Sequence, residues 1–461
     1  MGSKENTENV VMELGRDLIH ELFPRERQLI PNLSDVYELE LAFYENLILS
    51  DEELIKNAAY FSQIRGEYTN HFLMCTGEPL KLPEFSSSRL KSFFEKNIFR
   101  TGYATHGLFP YRGKFHPQMV KGLMNVMGLK PGDTVLDPMM GSGTVLVEAS
   151  LMGIRSMGID ASPFCRFMTQ TKLDALSMSL VRAKGALTNY EDVFAYFQKR
   201  VGEPNSVKKI SSNPTSKNSM FIMEETQEYT AMKDRRELTK GERETLDTYN
   251  LLLLSYLDSV GYAERSTRKT PLDQFRHILE RYLFVTEKIQ IVLAGLGVEL
   301  APAKVLEGDA KMLLLKDNSI EGIIFSPPYS FAIDYLANDS FHLNFMGVDS
   351  AALRERMIGL RGRNLLEKYQ FYREDMSKVL SECARVLKPG RFCTIVIGTN
   401  NNQLGKVLGV SPDEVKGLHE VLIDMSVTCG FKPIKMMSRP ITGISNTMRR
   451  EYILILQKKI H

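Results

Sequence analysis

The residues best suited to chemistry stand in two short segments, each of which follows an apolar stretch. The first is 137–144, with the sequence DPMMGSGT, and the second is 326–329, with the sequence SPPY. Two glycines in a tight turn let a ligand approach the backbone closely. Two consecutive prolines remove N–H donors and leave carbonyls free to accept hydrogen bonds. The two segments therefore predict a nucleotide-like ligand beside a rigid, oxygen-lined turn.

The glycine pair alone has more than one interpretation. No Gly-Lys-Ser or Gly-Lys-Thr follows Gly141 and Gly143, so this is not a phosphate-binding P-loop. Leu146 stands where a dinucleotide fingerprint carries its third glycine. The alternative is an ordinary turn between a strand and a helix, and the acidic residues nearby distinguish the two interpretations.

Three acidic residues follow three apolar stretches that are predicted to be strands. Asp137 ends the first, Asp160 ends the second 19 residues after Gly141, and Asp309 follows the third. Carboxyl ends of parallel strands meet at one edge of a sheet, where an acid can accept hydrogen bonds from ribose hydroxyls. We expect this role for Asp160 and contact with an adenine amine for Asp309. Packing alone does not explain acids at three successive strand ends.

The second segment suits an exocyclic amine, which offers two hydrogens. The hydroxyl of Ser326 and the carbonyl of Pro327 can accept them and turn the nitrogen lone pair toward an electrophile, and Pro328 keeps the turn rigid. The ring of Tyr329 can stack on a base that has been rotated out of its helix. The alternative is a structural turn whose tyrosine fills a gap in the core.

The predicted elements place both segments at one edge of an α/β sheet. Helices are predicted at 144–152 and at 371–387, the second ending at Lys388-Pro389-Gly390. Strands are predicted at 133–136, 156–159, 303–306, 321–325, 392–397, 432–437 and 451–457. This order predicts a doubly wound, mostly parallel, Rossmann-like sheet.

The domain organisation follows from the spacing of these strands. Residues 1–104 form a helical N-terminal region, with helices expected at 9–22 and 35–49. Residues 105–176 and 301–461 form the two halves of the α/β domain. Residues 177–300 form a mainly helical insertion, with helices expected at 242–257 and 271–294 and a polar, low-complexity stretch at 204–218.

Composition narrows the class of protein. The chain has 461 residues, of which 43% are hydrophobic, enough for a large core. Its net charge is only +2, so a nucleic-acid partner would have to meet a local basic surface. Five scattered cysteines form no CxxC pair, which indicates a reducing compartment and no metal site. The N-terminus lacks a signal sequence, and no apolar stretch is long enough to span a membrane, so we expect a cytoplasmic protein.

These motifs resemble those of the class I DNA amino-methyltransferases, which use S-adenosylmethionine and modify cytosine N4 or adenine N6. The resemblance runs from about residue 105 to 458, interrupted by the insertion. The segment 108–118, LFPYRGKFHPQ, resembles the one that these enzymes place against the methionine end of the cofactor. The resemblance assigns to cofactor binding Phe109, Tyr111, His116, Pro117, Asp137, Pro138, Met139, Gly141, Ser142, Gly143, Thr144, Asp160, Ala161, Asp309 and Ala310.

The resemblance also implies the partners and the target. Ser326 resembles the first residue of the catalytic segment in cytosine-N4 enzymes, whereas adenine-N6 enzymes more often carry Asp or Asn there. Duplex DNA with a flipped base would be the substrate, and a restriction nuclease is a potential companion. Basic residues suited to the DNA backbone stand in the insertion, Arg265, Arg268 and Lys269, and after the catalytic segment, Arg354, Arg356, Arg361 and Arg363.

Two alternatives belong to other classes. RNA methyltransferases that modify guanine N2 of tRNA share the glycine turn and an Asp-Pro-Pro-Tyr type of segment, but residues 1–100 lack a basic and aromatic pattern typical of RNA binding. A DNA-binding subunit without catalytic activity could also keep this fold.

Overall fold

We describe the fold from a computed structural model of the chain. The structure describes residues 21–31, 33, 35–76, 102–111, 113–200, 237–263, 270–328, 334–440 and 450–460. The predicted helix at 9–22 lies almost entirely outside these ranges, and the polar stretch at 204–218 lies wholly outside them.

A seven-stranded sheet forms the centre of the fold. Its strands are β4 (Thr134–Asp137), β5 (Arg155–Asp160), β6 (Ala303–Glu307), β7 (Ile320–Phe325), β8 (Leu387–Gly398), β9 (Phe431–Pro440) and β10 (Arg450–Lys458). They lie in the order β6-β5-β4-β7-β8-β10-β9. β10 runs antiparallel to both of its neighbours, β8 and β9, and the other pairs of adjacent strands are parallel. The strand order reverses between β4 and β7, the arrangement in which a doubly wound sheet opens a crevice at its carboxyl edge. The predicted fold class is therefore confirmed.

Helices cover both faces of this sheet. Those of the α/β domain are α4 (Pro117–Val126), α5 (Thr144–Leu151), α6 (Pro163–Ala175), α11 (Tyr335–Asn338), α12 (Ser340–Phe345), α13 (Ser350–Arg356), α14 (Leu365–Val386), α15 (Asn401–Leu408) and α16 (Leu418–Thr428). The helix predicted at 371–387 begins earlier than expected, because Asn364 caps its N-terminus by accepting from the N–H of Glu367. The helix ends at Val386, one residue before the predicted end, and residues 388–390, which were expected to close it, lie within β8.

The N-terminal region contains more than the predicted helices. Its helices are α1 (Val36–Ile48), α2 (Asp51–Asn57) and α3 (Asn70–Thr76). Beside them lies a three-stranded antiparallel sheet that the sequence did not predict, made of β1 (Arg27–Leu29), β2 (Phe61–Ile64) and β3 (Glu67–Tyr68). Strands of two to four residues are too short to show the alternation on which a prediction depends.

The N-terminal region shares a core with the α/β domain. Tyr37, Leu41 and Leu54 belong to the same buried cluster as Leu123 of α4 and Ile453 of β10. A buried carboxylate joins the two parts, because Glu45 accepts hydrogen bonds from the backbone of Ala59 and Tyr60 and from the side chain of Asn125. Burial of these groups makes the region part of the folded unit that holds the sheet.

Between α6 and β6, the described ranges contain the helices α7 (Val181–Thr188), α8 (Tyr190–Lys199), α9 (Lys240–Ala263) and α10 (Pro271–Leu296). Leu252, Tyr256 and Leu279 belong to the same buried cluster as Phe164 and Met168 of α6. The insertion is thus packed directly against the helix that follows the second strand of the sheet. No helix in the described ranges is long and apolar enough to cross a membrane.

Candidate active site

A cleft opens at the carboxyl edge of the sheet, where the strand order reverses. It encloses a cavity of about 130 Å³. The turn that follows β4 and the segment that follows β7 both line it, so the two motifs singled out in the sequence face one space. The predicted residues that line the cleft are Tyr111, Pro138, Met139, Gly141, Ser142, Thr144, Asp160, Ala161, Asp309, Ala310, Ser326, Pro327, Pro328 and Arg356.

The glycine turn needs both of its glycines. Gly141 and Gly143 have φ values of +47° and +73°, a region that side chains with a Cβ rarely adopt. A Cβ at Gly143 would lie 2.4 Å from Cγ2 of Thr169, so the turn passes too close to α6 for any side chain. Thr169 also donates from Oγ1 to the carbonyl of Gly141 at 3.1 Å. Close packing of this kind fixes the turn before any ligand binds.

A buried amine lies behind the same turn. Nζ of Lys172 donates to the carbonyl of Ser142 at 3.2 Å, and the side chain is fully buried. Burial, together with the nearby Lys114, lowers the pKa of Lys172 well below its ordinary value. The burial of Lys172 could not be predicted from the sequence, because a lysine within a helical pattern is usually on the surface.

Asp160 holds the glycine turn against the second strand. Its Oδ2 accepts from the N–H of Gly141 at 2.9 Å, and its Oδ1 accepts from the N–H of Ser162 at 2.9 Å. Burial raises the pKa of Asp160, and hydrogen bonds from the backbone oppose that rise. Each oxygen keeps a second lone pair. The carboxylate can therefore support the turn and still accept a hydrogen bond from a ligand in the cleft.

Asp137 ends β4 beneath the turn and does not itself line the cleft. Its Oδ1 accepts from the N–H of Met139 at 3.0 Å. Its Oδ2 is buried and has no partner among the described residues. Burial raises the pKa of Asp137 well above its ordinary value, and Asp160 adds to that rise. A buried acceptor without a partner is costly unless a ligand supplies one.

Asp309 lies two residues beyond β6, at the same edge of the sheet. Its Oδ1 accepts from the backbone N–H of Lys311 at 2.9 Å, and its Oδ2 lies 3.6 Å from Nζ of that lysine. The third acid predicted from the sequence therefore lines the cleft with Ala310 beside it.

The segment after β7 brings acceptors to the other side of the cleft. Ser326 and Pro328 are half-buried, and Pro327 is buried. The hydroxyl of Ser326 has no hydrogen-bond partner within the described part of the chain, so it can accept from a ligand. Tyr329, the fourth predicted catalytic residue, lies outside the described residues.

The segment that precedes α4 contributes less to the cleft than predicted. Tyr111 lines it, with its ring 3.2 Å from where a Cβ of Gly141 would stand. Phe109 is buried between the rings of Phe164 and His342 and does not line the cleft. His116 and Pro117 do not line it either: they are the N-cap and first residue of α4.

The predicted arginines have different environments. Arg354 pairs with Asp334 at 2.7 Å, Arg356 with Glu307 at 3.1 Å, and Arg361 with Asp375 at 2.6 Å. The guanidinium of Arg363 is exposed and has no ion pair within the described part of the chain. Arg265, Arg268 and Lys269 lie outside the described residues.

Five further residues line the cleft that the sequence did not single out: Gly113, Phe115, Met140, Met357 and Ile358. The first three stand within or beside motifs that were recognised, so their position could have been inferred. Met357 and Ile358 follow α13 and reach the cleft only through the tertiary fold, for which the sequence carries no local signal.

The site has the features that S-adenosylmethionine requires of a binding cleft. A turn without side chains at two positions lets a ligand approach the backbone, and the carboxylates of Asp160 and Asp309 line the cleft beside it. No group of three metal-ligating side chains occurs within the described ranges.

The Rossmann-like fold and this site resemble those of S-adenosylmethionine-dependent methyltransferases. In agreement, the family model described as "UPF0020: RMKL-like, methyltransferase domain" matches residues 108–195. The matched residues include the glycine turn and Asp160, so the resemblance seen in the sequence is confirmed.

Curated proteins similar to this chain include two that are named type II methyltransferases. Type II methyltransferase M.MjaII of Methanocaldococcus jannaschii is 32% identical over 177 residues, which is 38% of this chain and 31% of that protein. Type II methyltransferase M.BsoBI of Geobacillus stearothermophilus is 23% identical over 284 residues, 54% of this chain and 54% of that protein. The matches thus span between a third and about half of these relatives.

A tRNA-modifying enzyme is also similar over a shorter stretch. The tRNA (guanine(10)-N2)-dimethyltransferase of Methanothermobacter thermautotrophicus is 44% identical over 76 residues, which is 16% of this chain and 23% of that protein.

Proposed function

We propose that this protein transfers a methyl group from S-adenosylmethionine to an exocyclic amine of a base in duplex DNA. One observation carries the proposal: the glycine turn after β4 and the Ser326-Pro327-Pro328 segment after β7 line the same cleft. The relatives named as type II methyltransferases support DNA as the substrate.

Cofactor binding would use the acids at the carboxyl edge of the sheet. Asp160 and Asp309, which both line the cleft, would accept hydrogen bonds from the ribose and the adenine amine. When bound, S-adenosylmethionine supplies an electrophilic methyl group on a positively charged sulfur. The side chains of Met139 and Tyr111 would pack beside it.

Base binding would use the acceptors after β7. The hydroxyl of Ser326 and the carbonyl of Pro327 would each accept one hydrogen of the amine, which directs the nitrogen lone pair out of the plane of the base. The segment is rigid because both prolines fix φ, so little reorganisation opposes the reaction. Tyr329 would stack on the flipped base.

Cytosine N4 is the proposed target atom, because Ser326 stands where adenine-N6 enzymes more often carry Asp or Asn. Adenine N6 would use the same two acceptors and the same geometry. The two targets differ in the base that stacks in the pocket, so the product nucleoside decides between them.

A second candidate substrate is guanine N2 in tRNA. The short match with the tRNA (guanine(10)-N2)-dimethyltransferase favours it. The matches with the two type II methyltransferases cover more of the chain, 38% and 54% against 16%. Ser326 in place of Asp also favours DNA. A DNA-binding subunit without activity is the candidate from another class.

One experiment separates these candidates. The protein is incubated with S-adenosylmethionine carrying a tritiated methyl group and with either duplex DNA or total tRNA, and the labelled nucleosides are identified by mass. We expect N4-methylcytosine in DNA. N6-methyladenine would overturn the target base alone, and label only in tRNA would overturn the substrate. Tight cofactor binding without any label would support the inactive subunit.

A further inference from the structure

Lys311 joins two walls of the cleft. Its Nζ donates to the carbonyl of Arg356 at 3.1 Å and lies 3.6 Å from Oδ2 of Asp309. Asp309 and Arg356 both line the cleft, and in the sequence Asp309 precedes Lys311 whereas Arg356 follows it. Only 13% of the Lys311 side chain is exposed, so its charge is poorly served by water and depends on these oxygens.

A second acid anchors the same amine to helix α14. Oδ1 of Asp375 lies 3.8 Å from Nζ of Lys311 and accepts from Nη2 of Arg361 at 2.6 Å. Asp375 is 1% exposed, and its Oδ2 has no partner among the described residues. A carboxylate this deeply buried needs both cations, since an unpaired charge at this depth is strongly unfavourable.

Lys311 contacts Arg356, and Asp375 pairs with Arg361, so both contacts hold one short segment. We call residues 356–363 the arginine segment. At its start, Met357 and Ile358 line the cleft. At its end, the guanidinium of Arg363 is exposed, and Arg361 lies 4.8 Å from the ring of Phe371. The segment therefore carries a cofactor-facing part and an exposed basic part within eight residues.

We propose that Lys311 is a positioning residue that couples occupancy of the cofactor cleft to DNA binding by the arginine segment. This rests on the proposed function. A ligand between Asp309 and Met357 fixes the wall that Lys311 holds, and that wall continues into Arg363. Two ligands that order the same segment each bind more tightly in the presence of the other.

The test measures binding without turnover. S-adenosylhomocysteine affinity is measured by calorimetry, and affinity for a fluorescently labelled duplex pool of random sequence is measured with and without S-adenosylhomocysteine. In the wild type we expect the cofactor product to tighten duplex binding by about fivefold or more. In Lys311→Met this factor falls to one and the Kd for S-adenosylhomocysteine rises by about fivefold or more.

Three variants make the result specific. Lys316→Met removes an exposed lysine five residues away and should behave as the wild type. Lys311→Arg keeps a cation with several donors and should restore part of the coupling. Asp375→Asn removes the shared anchor by a second route and should also lower the coupling, which keeps the test decisive if Lys311→Met fails to fold.

The outcomes separate this inference from the proposed function. Unchanged coupling and unchanged cofactor affinity in folded Lys311→Met overturn the inference, as does a wild type without coupling. A wild type that methylates no DNA overturns the proposed function. In that case a weakened Kd for S-adenosylhomocysteine in Lys311→Met alone still supports the positioning of the cleft wall.

Discussion

Oδ2 of Asp160 accepts a hydrogen bond from the backbone N–H of Gly141 at 2.9 Å, which ties the end of the second strand to the turn after the first. An acid expected from the sequence to bind a ribose is thus also a structural element of the glycine turn. Its other oxygen accepts from Ser162, so both carboxylate oxygens have backbone donors. Any change at Asp160 must therefore affect the turn as well as the ligand.

Asp160→Asn should weaken cofactor binding and lower stability together. The new amide would place an NH2 group against the N–H of Gly141 or Ser162, and one buried donor left without an acceptor costs about 1–3 kcal/mol. Calorimetry with S-adenosylhomocysteine and urea unfolding measure the two effects. Asp424→Asn is the matched control, because Asp424 is exposed and, among the described residues, forms an ion pair only with Lys416. An Asp160→Asn protein with wild-type stability would contradict the structural role.

Gly143→Ala should lose cofactor binding and be destabilised by more than its backbone strain explains. Gly143 and Gly153 have nearly the same φ, +73° and +74°. At Gly143 an added Cβ would lie 2.4 Å from Thr169, whereas at Gly153 the nearest atoms, of Pro131, are 3.7 Å away.

Gly153→Ala therefore measures the cost of the left-handed backbone alone, about 1 kcal/mol. We expect the free energy of unfolding to fall further in Gly143→Ala. Equal losses in the two variants would show that the close approach of the turn to α6 has no energetic effect.

Ser326→Ala should lower turnover and leave cofactor affinity unchanged. Loss of one positioned acceptor that acts mainly in the transition state costs about 10²- to 10³-fold in kcat, by analogy with loss of one oxyanion-hole donor. Single-turnover methyl transfer at saturating cofactor measures this. Ser381→Ala is the control, since its hydroxyl lies away from the cleft, donates to the carbonyl of Ser377 in α14 and is 3.5 Å from Sγ of Cys429. Full activity in Ser326→Ala would remove the hydroxyl from the mechanism.

Arg363→Ala should weaken duplex binding and reduce its dependence on salt. One lost phosphate contact lowers the slope of log K against log salt by about 1. Arg391→Ala is the control, because Arg391 lies near the start of β8, at the edge of the sheet opposite the cleft, and is 3.9 Å from Asp133. Equal slopes for wild type and Arg363→Ala would exclude this contact.

The buried pair of His106 and Glu148 should make the protein less stable in mild acid. Nε2 of His106 lies 2.6 Å from Oε1 of Glu148, and burial lowers the pKa of His106 from 6.5 to about 4. The folded state therefore binds fewer protons than the unfolded state between pH 4 and 6.5. The contribution of His106 to the free energy of unfolding is full above pH 6.5 and falls by about 1.4 kcal/mol per pH unit from there down to about pH 4.

Other buried groups also titrate, so the measurement is a difference. His71, whose pKa burial lowers to about 3, acts in the same direction, and Glu45, whose pKa burial raises to about 7, acts in the opposite one. His106→Gln keeps a donor toward Glu148 but does not titrate. Urea unfolding from pH 7 to pH 4.5 should show a shallower pH dependence in this variant, and identical slopes would contradict the lowered pKa of His106.

The sequence predicted the central strands well because buried parallel strands leave a simple pattern. Short apolar runs that end in Gly or Asp marked the first two strands to within a residue, at Thr134–Asp137 and Arg155–Asp160. Chain order and the rule that ligands bind where strand order reverses then placed the two motifs at one edge.

Contacts that only the tertiary fold makes could not be predicted from the sequence. Met357 and Ile358 line the cleft although they lie 31 and 32 residues after Ser326, and an apolar pair at the end of a short helix predicts only a core position. Phe109 was assigned to the cofactor by resemblance, yet its ring packs against Phe164. Arg354, Arg356 and Arg361, which the sequence suggested as contacts for the DNA backbone, form ion pairs with residues 14 to 49 positions away, which local sequence does not reveal.

The contact between the insertion and the start of the α/β domain limits how this protein could be recombined. The hydroxyl of Tyr282 in α10 accepts from the N–H of Phe109 at 2.7 Å and donates to Asp258 in α9 at 2.9 Å. A chimaera that exchanges only the insertion for that of another enzyme would leave the N–H of Phe109 without its acceptor, two residues before Tyr111. Grafts should therefore carry residues 105–111 and the two helices from the same parent.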